Sequence, residues 1–141
     1  MKKRILVVDD EREFTNLLKL SLEAHGYYEV QEENDAGNAR AAARTFDPDL
    51  ILLDIMMPDL DGSEVAAGLK ADPVTREVPI LFLTALVSDE DAKTDGACSS
   101  GGNTFLPKHI RLDRLMHCID EKIQHHHHAH PPPHHVVGAA Q

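Results

Sequence analysis

Ile5 to Val8 is a continuous apolar run that stops abruptly at Asp9 and Asp10. Short runs without alternation suit strands buried on both faces, as in a parallel sheet. The pattern recurs: Asp49 to Leu53 stops at Asp54, and Val78 to Leu83 stops at Thr84. Tyr28 to Glu32 predicts a weaker strand with Val30 as its best core candidate, and Thr104 to Leu106 a brief one. Between the strands the spacing turns helical. Phe14, Leu17, Leu18 and Leu22 mark one apolar face, closed by Gly26. Ala39, Ala42, Ala43 and Phe46 mark a second, which ends before Pro48. Glu64 to Lys70 carries Val65 and Leu69 inward, and Leu112, Leu115, Met116, Ile119 and Ile123 make a final amphipathic helix. Val87 to Asn103 is polar and holds Gly96, Gly101 and Gly102, so a short, irregular fourth helix is expected there.

Strands alternating with helices in this way predict an α/β fold: a doubly wound, five-stranded parallel sheet with five helices on its two faces. Such sheets bind ligands beyond the carboxyl ends of their strands. Asp9, Asp10, Asp54, Thr84 and Lys108 all fall at that edge. In the order 2-1-3-4-5 the strands that carry them are consecutive neighbours, so their ends converge. Crowded carboxylates resist ionisation unless a cation joins them. A hard, oxygen-seeking ion such as Mg²⁺ suits few carboxylates and several waters. Lys108 adds a positive charge and Thr84 a hydroxyl donor. A carboxylate nucleophile, a metal and a cationic side chain together are what phosphoryl transfer requires.

Composition narrows the class. The chain has 141 residues, enough for one domain with its own core. A formal net charge of -10 argues against a nucleic-acid surface, which needs clustered Lys and Arg. The two cysteines, Cys98 and Cys118, have no metal-ligand spacing and read as free thiols of a reducing compartment. No apolar run approaches the roughly 20 residues of a membrane span, and the N-terminus lacks the apolar length of a signal peptide. A cytoplasmic location without membrane contact is therefore expected. Residues 125–141 hold seven of the ten histidines and Pro131, Pro132 and Pro133. They read as a disordered tail after a domain spanning 1–124. A linker remnant, a weak site for Zn²⁺, Ni²⁺ or Cu²⁺, and an expression tag all remain open for it.

Val7-Val8-Asp9-Asp10-Glu11, the run Asp54 to Gly62, Leu83-Thr84-Ala85 and Phe105-Leu106-Pro107-Lys108 resemble, in order, the signature blocks of two-component response-regulator receiver domains. Any one block is weak, whereas four in sequence from Lys3 to about Ile123 are specific. The resemblance is to the single-domain, chemotaxis-regulator-like form, with a flavodoxin-like fold. It implies that Asp54 is the phosphoacceptor, attacking the phosphohistidine of a sensor histidine kinase or phosphotransfer protein. Asp10, Asp54 and the Met56 carbonyl would hold Mg²⁺, with Asp9 binding it directly or through water. Thr84 and Lys108 would bind the phosphoryl oxygens, and Phe105 would be the switch aromatic. The face built from the fourth helix, fifth strand and fifth helix would then take up a downstream partner. The chain would promote only its own phosphorylation and dephosphorylation. The family usually has proline after the lysine, and here His109 follows. A cis bond costs about 2.5–4 kcal/mol before residues other than proline, so a trans Lys108–His109 bond is expected.

Each residue also has a plainer reading. Asp9 and Asp10 suit a helix N-terminus, Thr84 a strand end, Lys108 a solvated charge, Met56 loop packing and Phe105 the core. Two other functions compete with a stand-alone receiver. One is the receiver fragment of a longer regulator, and the other an aspartate-nucleophile phosphatase. The latter usually has a second aspartate two residues after the first, where this chain has Met56.

Overall fold

The computed structural model describes residues 2–58, 60–85 and 104–129, with side chains as far as His125. The elements run β1 (Lys3–Val8), α1 (Arg12–Glu23), β2 (Tyr28–Glu33), a 3-10 turn (Ala36–Asn38), α2 (Ala39–Phe46), β3 (Leu50–Asp54), α3 (Gly62–Ala71), β4 (Ile80–Thr84), β5 (Thr104–Pro107) and α4 (Leu112–Ala129). The five strands form one sheet in the order β2-β1-β3-β4-β5. Every pairing is parallel. This is the doubly wound, flavodoxin-like architecture expected. The helix expected between Val87 and Asn103 lies outside the described residues, so α4 corresponds to the fifth helix of the sequence reading.

The unbroken apolar runs are explained by two cores, one on each face. Ile5, Val7, Leu50, Leu52, Leu81 and Leu83 join Leu18 and Leu22 of α1 and Leu115 and Ile119 of α4. The alternate residues Leu6, Val8, Ile51, Leu53 and Phe82 join Ala42, Ala43 and Phe46 of α2 and Val65 and Leu69 of α3. Successive side chains point to opposite faces of a strand, so a sheet covered twice needs apolar residues at every position. Each such Leu or Ile, fully buried, stabilises the fold by roughly 1.5–3 kcal/mol.

Several local expectations are revised. Leu17 is 65% exposed, and Thr15 takes the inward place with Leu18 and Leu22. The Thr15 hydroxyl is accommodated by donating to Glu32 Oε1 at 2.7 Å. Cys118 is buried and disulfide-bonded, not a free thiol. Helix α4 continues to Ala129, into the histidine run that was expected to be disordered. Adding residues to a helix already anchored by packing avoids the cost of nucleation. The peptide bonds of the described residues are trans, Lys108–His109 included. Among the described residues no helix is long and apolar enough to cross a membrane.

Candidate functional site at the carboxyl edge of the sheet

Sheet register sets the positions of the polar strand ends. Val8 pairs with Leu53, Asp54 with Leu83 and Thr84 with Pro107. Four strands therefore finish nearly level, and Asp9, Asp54, Thr84 and Lys108 lie at or just past that level. One oxygen from each of Asp9, Asp10 and Asp54 lies within 4.8 Å of the others. Asp10, Asp54, Met56 and Lys108 line a cleft of about 750 Å³, together with Glu11, Ile55, Met57, Pro58, Leu60, Asp61 and Ala85.

Each carboxylate is held differently. Asp9 is fully buried, and its Oδ1 accepts the Glu11 N–H at 3.0 Å. The N-cap of α1 is Glu11, so Asp9 steadies the turn before the helix and does not cap it as the plainer reading had it. Its Oδ2 meets Lys108 Nζ at 2.8 Å as an ion pair, without the alignment of a hydrogen bond. Asp54 is 3% exposed, and its Oδ1 accepts the Met56 N–H at 3.2 Å. Asp10 is exposed at the cleft.

Burial pushes the Asp54 carboxyl up to about 6, and the charges of Asp9 and Asp10 add to the rise against the Met56 N–H and Lys108. Burial likewise raises Asp9, opposed by Lys108 and the Glu11 N–H. Burial alone would lower Lys108, but Asp9 and Glu11 outweigh it and hold the ammonium above its ordinary range. The site therefore gathers more negative charge than its one lysine neutralises.

That donor set fits a small hard cation. The ligands are all carboxylate oxygens, and their span is close to the about 4.2 Å across an ion with 2.0–2.1 Å bonds. The unaligned, buried Asp9 Oδ2 is a further acceptor suited to a metal or a metal-bound water.

Asp9, Asp10, Asp54 and Lys108 come together as expected. Thr84 is buried at the next strand end, and its carbonyl accepts the Lys108 N–H at 3.0 Å. Phe105 is 41% exposed and stacks on Phe82 with ring centroids 5.0 Å apart. It does not line the cleft.

Four contributors had no role at the site in the sequence reading. Lys108 Nζ lies 2.5 Å from Glu11 Oε1 and 4.6 Å from the Phe14 ring centroid. Asn34 Nδ2 donates to the Asp9 carbonyl at 2.7 Å and to Thr15 Oγ1 at 3.0 Å, tying the acidic turn to the loop after β2. Gly62, which closes the second signature block without a role of its own, donates its N–H to the Ile55 carbonyl at 2.9 Å and packs against the Asp54 backbone. Glu11 and Phe14 share the start of a helix, but nothing local links either to Lys108. The Asp-Gly pair at 61–62 was the one legible signal.

The response regulator receiver domain family matches residues 5–120. Among curated proteins, the chain is similar to the response regulator PleD of Caulobacter vibrioides (strain NA1000 / CB15N). The two are 46% identical over 110 residues, covering 78% of this chain and 24% of that protein. It is also similar to the alkaline phosphatase synthesis transcriptional regulatory protein PhoP of Bacillus subtilis (strain 168). There the identity is 41% over 108 residues, covering 77% and 43% of the two chains. Among solved structures, it resembles the signal receiver domain of a modulated diguanylate cyclase from Desulfovibrio desulfuricans G20. That match has a TM-score of 0.70 and 28% identity over 92% of this chain and 99% of the other. The Vibrio cholerae chemotaxis protein CheY4 matches with a TM-score of 0.70 and 25% identity, over 85% and 98% of the chains. The chain spans from 24% to 48% of the length of these and similar curated relatives. With a matching family over nearly the whole sheet and relatives of this identity, the chain belongs to the response regulator receiver domain family.

Proposed function

We propose that this receiver is a phosphoacceptor switch in which Asp54 takes a phosphoryl group from a histidine kinase or phosphotransfer protein. The observation that carries this reading is the meeting of Asp9, Asp10, Asp54 and Lys108 at one strand edge. An Asp54 carboxylate oxygen forms the bond to phosphorus as the donor's bond to phosphorus breaks, and the donor leaves with that electron pair. Asp9, Asp10, Asp54 and the Met56 carbonyl would hold Mg²⁺, which when bound neutralises charge on the phosphoryl oxygens. Lys108 pairs with one of those oxygens, and the Thr84 hydroxyl donates to another. Phe105, at the neighbouring strand, follows Thr84 and alters the face around β5 and α4 where a downstream protein docks. The domain closes with α4, which runs on to Ala129; it acts in the cytoplasm and catalyses only its own gain and loss of phosphate. A net charge of -10 disfavours DNA contact by this segment itself.

Acetyl phosphate with Mg²⁺ is expected to add one phosphoryl group to the wild-type chain and none to Asp54→Asn, as read by intact-mass spectrometry. Equal modification of the variant sinks the assignment. A second reading, the receiver part of a longer regulator, is favoured by the span of 24% to 48% of the curated relatives. Several of these are named as transcriptional regulators. The complete open reading frame separates the two.

A further inference from the structure

Lys108 has two close anionic partners, and one of them has no part in the proposed chemistry. Its Nζ lies 2.8 Å from Asp9 Oδ2 and 2.5 Å from Glu11 Oε1, but 3.7 Å from Asp54 Oδ2. The last distance is too long for a hydrogen bond. Glu11 reaches across from a fixed base. Its N–H is held by Asp9 Oδ1, and its carbonyl accepts the Thr15 N–H at 3.1 Å as the first bond of α1. Phe14, three residues on, lies against the same ammonium. The two ends of the Glu11–Lys108 pair differ in setting, since the Glu11 side chain is 64% exposed and that of Lys108 only 9%. Water readily takes over the released Glu11 carboxylate, whereas the shielded ammonium needs a new anion in its place.

We propose that Glu11 is a positioning residue that parks the Lys108 ammonium short of Asp54 and yields it when a phosphoryl group arrives. A phosphoryl group brings about -1.5 to -2 charges, against the single charge of Glu11. The exchange is therefore downhill once the group is in place, but an incoming donor must first draw Lys108 away. Glu11 thus sets how strongly the site engages phosphoryl donors. This rests on the reading above, in which Asp54 accepts the group and Lys108 pairs with it.

The test compares wild type, Glu11→Gln and Glu11→Asp in the full chain at saturating Mg²⁺, with rate measured against acetyl phosphate concentration. Glu11→Gln removes both the charge and the ion pair, while Glu11→Asp keeps the charge on a side chain too short to hold Lys108. Both variants are expected to lower the half-saturating donor concentration about two- to fivefold, the range of an exposed ion pair, with little change in maximal rate. Titration calorimetry with beryllofluoride, a phosphoryl mimic, is expected to show the same tightening. Should Glu11→Gln fail to fold, Glu11→Asp carries the comparison alone. Wild-type behaviour of Glu11→Asp overturns the proposal, whether Glu11→Gln is faster (a plain charge effect) or unchanged. Asp54→Asn run in parallel separates the two readings. Its modification refutes the acceptor assignment, while an unmodified Asp54→Asn beside unchanged Glu11 variants refutes only the role of Glu11.

Discussion

A Cβ added to Gly62 would overlap the Asp54 carbonyl oxygen and lie 2.6 Å from Ile55 Cα. Its neighbours there are backbone atoms, which cannot swing aside as a side chain can. Glycine stands at this position for close approach, because the chain entering α3 must fold back onto the end of β3. Asp61 fixes that return by capping α3, with Oδ1 accepting the Ser63 N–H at 2.8 Å while Glu64 reaches back to the Asp61 N–H. Gly62→Ala should therefore displace Asp54 itself. Urea unfolding is expected to show a loss of about 1–3 kcal/mol, typical of overpacking. Mg²⁺ titration by calorimetry should show weaker binding in the same variant. Loss of stability with unchanged Mg²⁺ affinity would mean that the strain is absorbed on the α3 side.

Helices α2 and α3 are joined by a polar clasp. Asp72, at the end of α3, is 5% exposed, and its Oδ1 accepts the Val74 N–H at 2.9 Å. Its Oδ2 lies 2.9 Å from Arg44 Nη1 and 3.7 Å from Arg40 Nε, both on α2. The Val74 N–H and then the two arginines hold this carboxyl below the usual carboxylate range. A depressed folded value means that the unfolded chain binds more protons as pH falls past about 3.9. The clasp thus stabilises fully above that pH and is lost as pH drops through the folded value. The urea midpoint of Asp72→Asn is expected below that of wild type at pH 7, with the gap closing toward pH 3. A gap that stays constant would show that packing, not charge, holds the two helices. In α1 the same balance of packing and polarity decides which residues face inward. The run Leu17-Leu18 offers two leucines, but only Leu18 is in phase with Leu22, and Thr15 fills the remaining place because Glu32 satisfies its hydroxyl.

Over the whole molecule, the acidic edge is a store of unfavourable charge that a bound cation relieves. A ligand that binds only the folded chain stabilises it by RT ln(1 + [L]/Kd), about 1.4 kcal/mol at ten times the dissociation constant. Mg²⁺ is therefore expected to raise the melting temperature of the wild-type protein by several degrees. Asp10→Ala should remove most of that rise, and calorimetric scans with and without Mg²⁺ read both. An unchanged rise in Asp10→Ala would take Asp10 out of the metal site. The net charge of -10 makes some response to any salt inevitable. A matched ionic strength of NaCl is the necessary control.

The strands, their buried character and the polar residues at their ends were legible in the sequence, because both are local. An apolar run such as Ile5–Val8 or Leu50–Leu53 reports two covered faces, and a carboxylate straight after it marks the carboxyl edge. Convergence of Asp9, Asp54 and Lys108 followed only once a strand order was supplied. The parallel register in the strand order β2-β1-β3-β4-β5 then makes neighbours of residues far apart in the chain. What the sequence could not determine depends on side-chain reach across that edge. Glu11 and Lys108 are 97 positions apart, and although both end signature blocks, nothing in those blocks says that the two side chains meet. Likewise Asn34 meets Asp9 only because β2 and β1 are paired, and Gly62 meets Asp54 only because α3 starts where its loop returns. Local pattern fixes which face of an element is apolar and where that element stops. Which partner a charged side chain finds is decided by distance in space, and that exists only after the sheet has assembled.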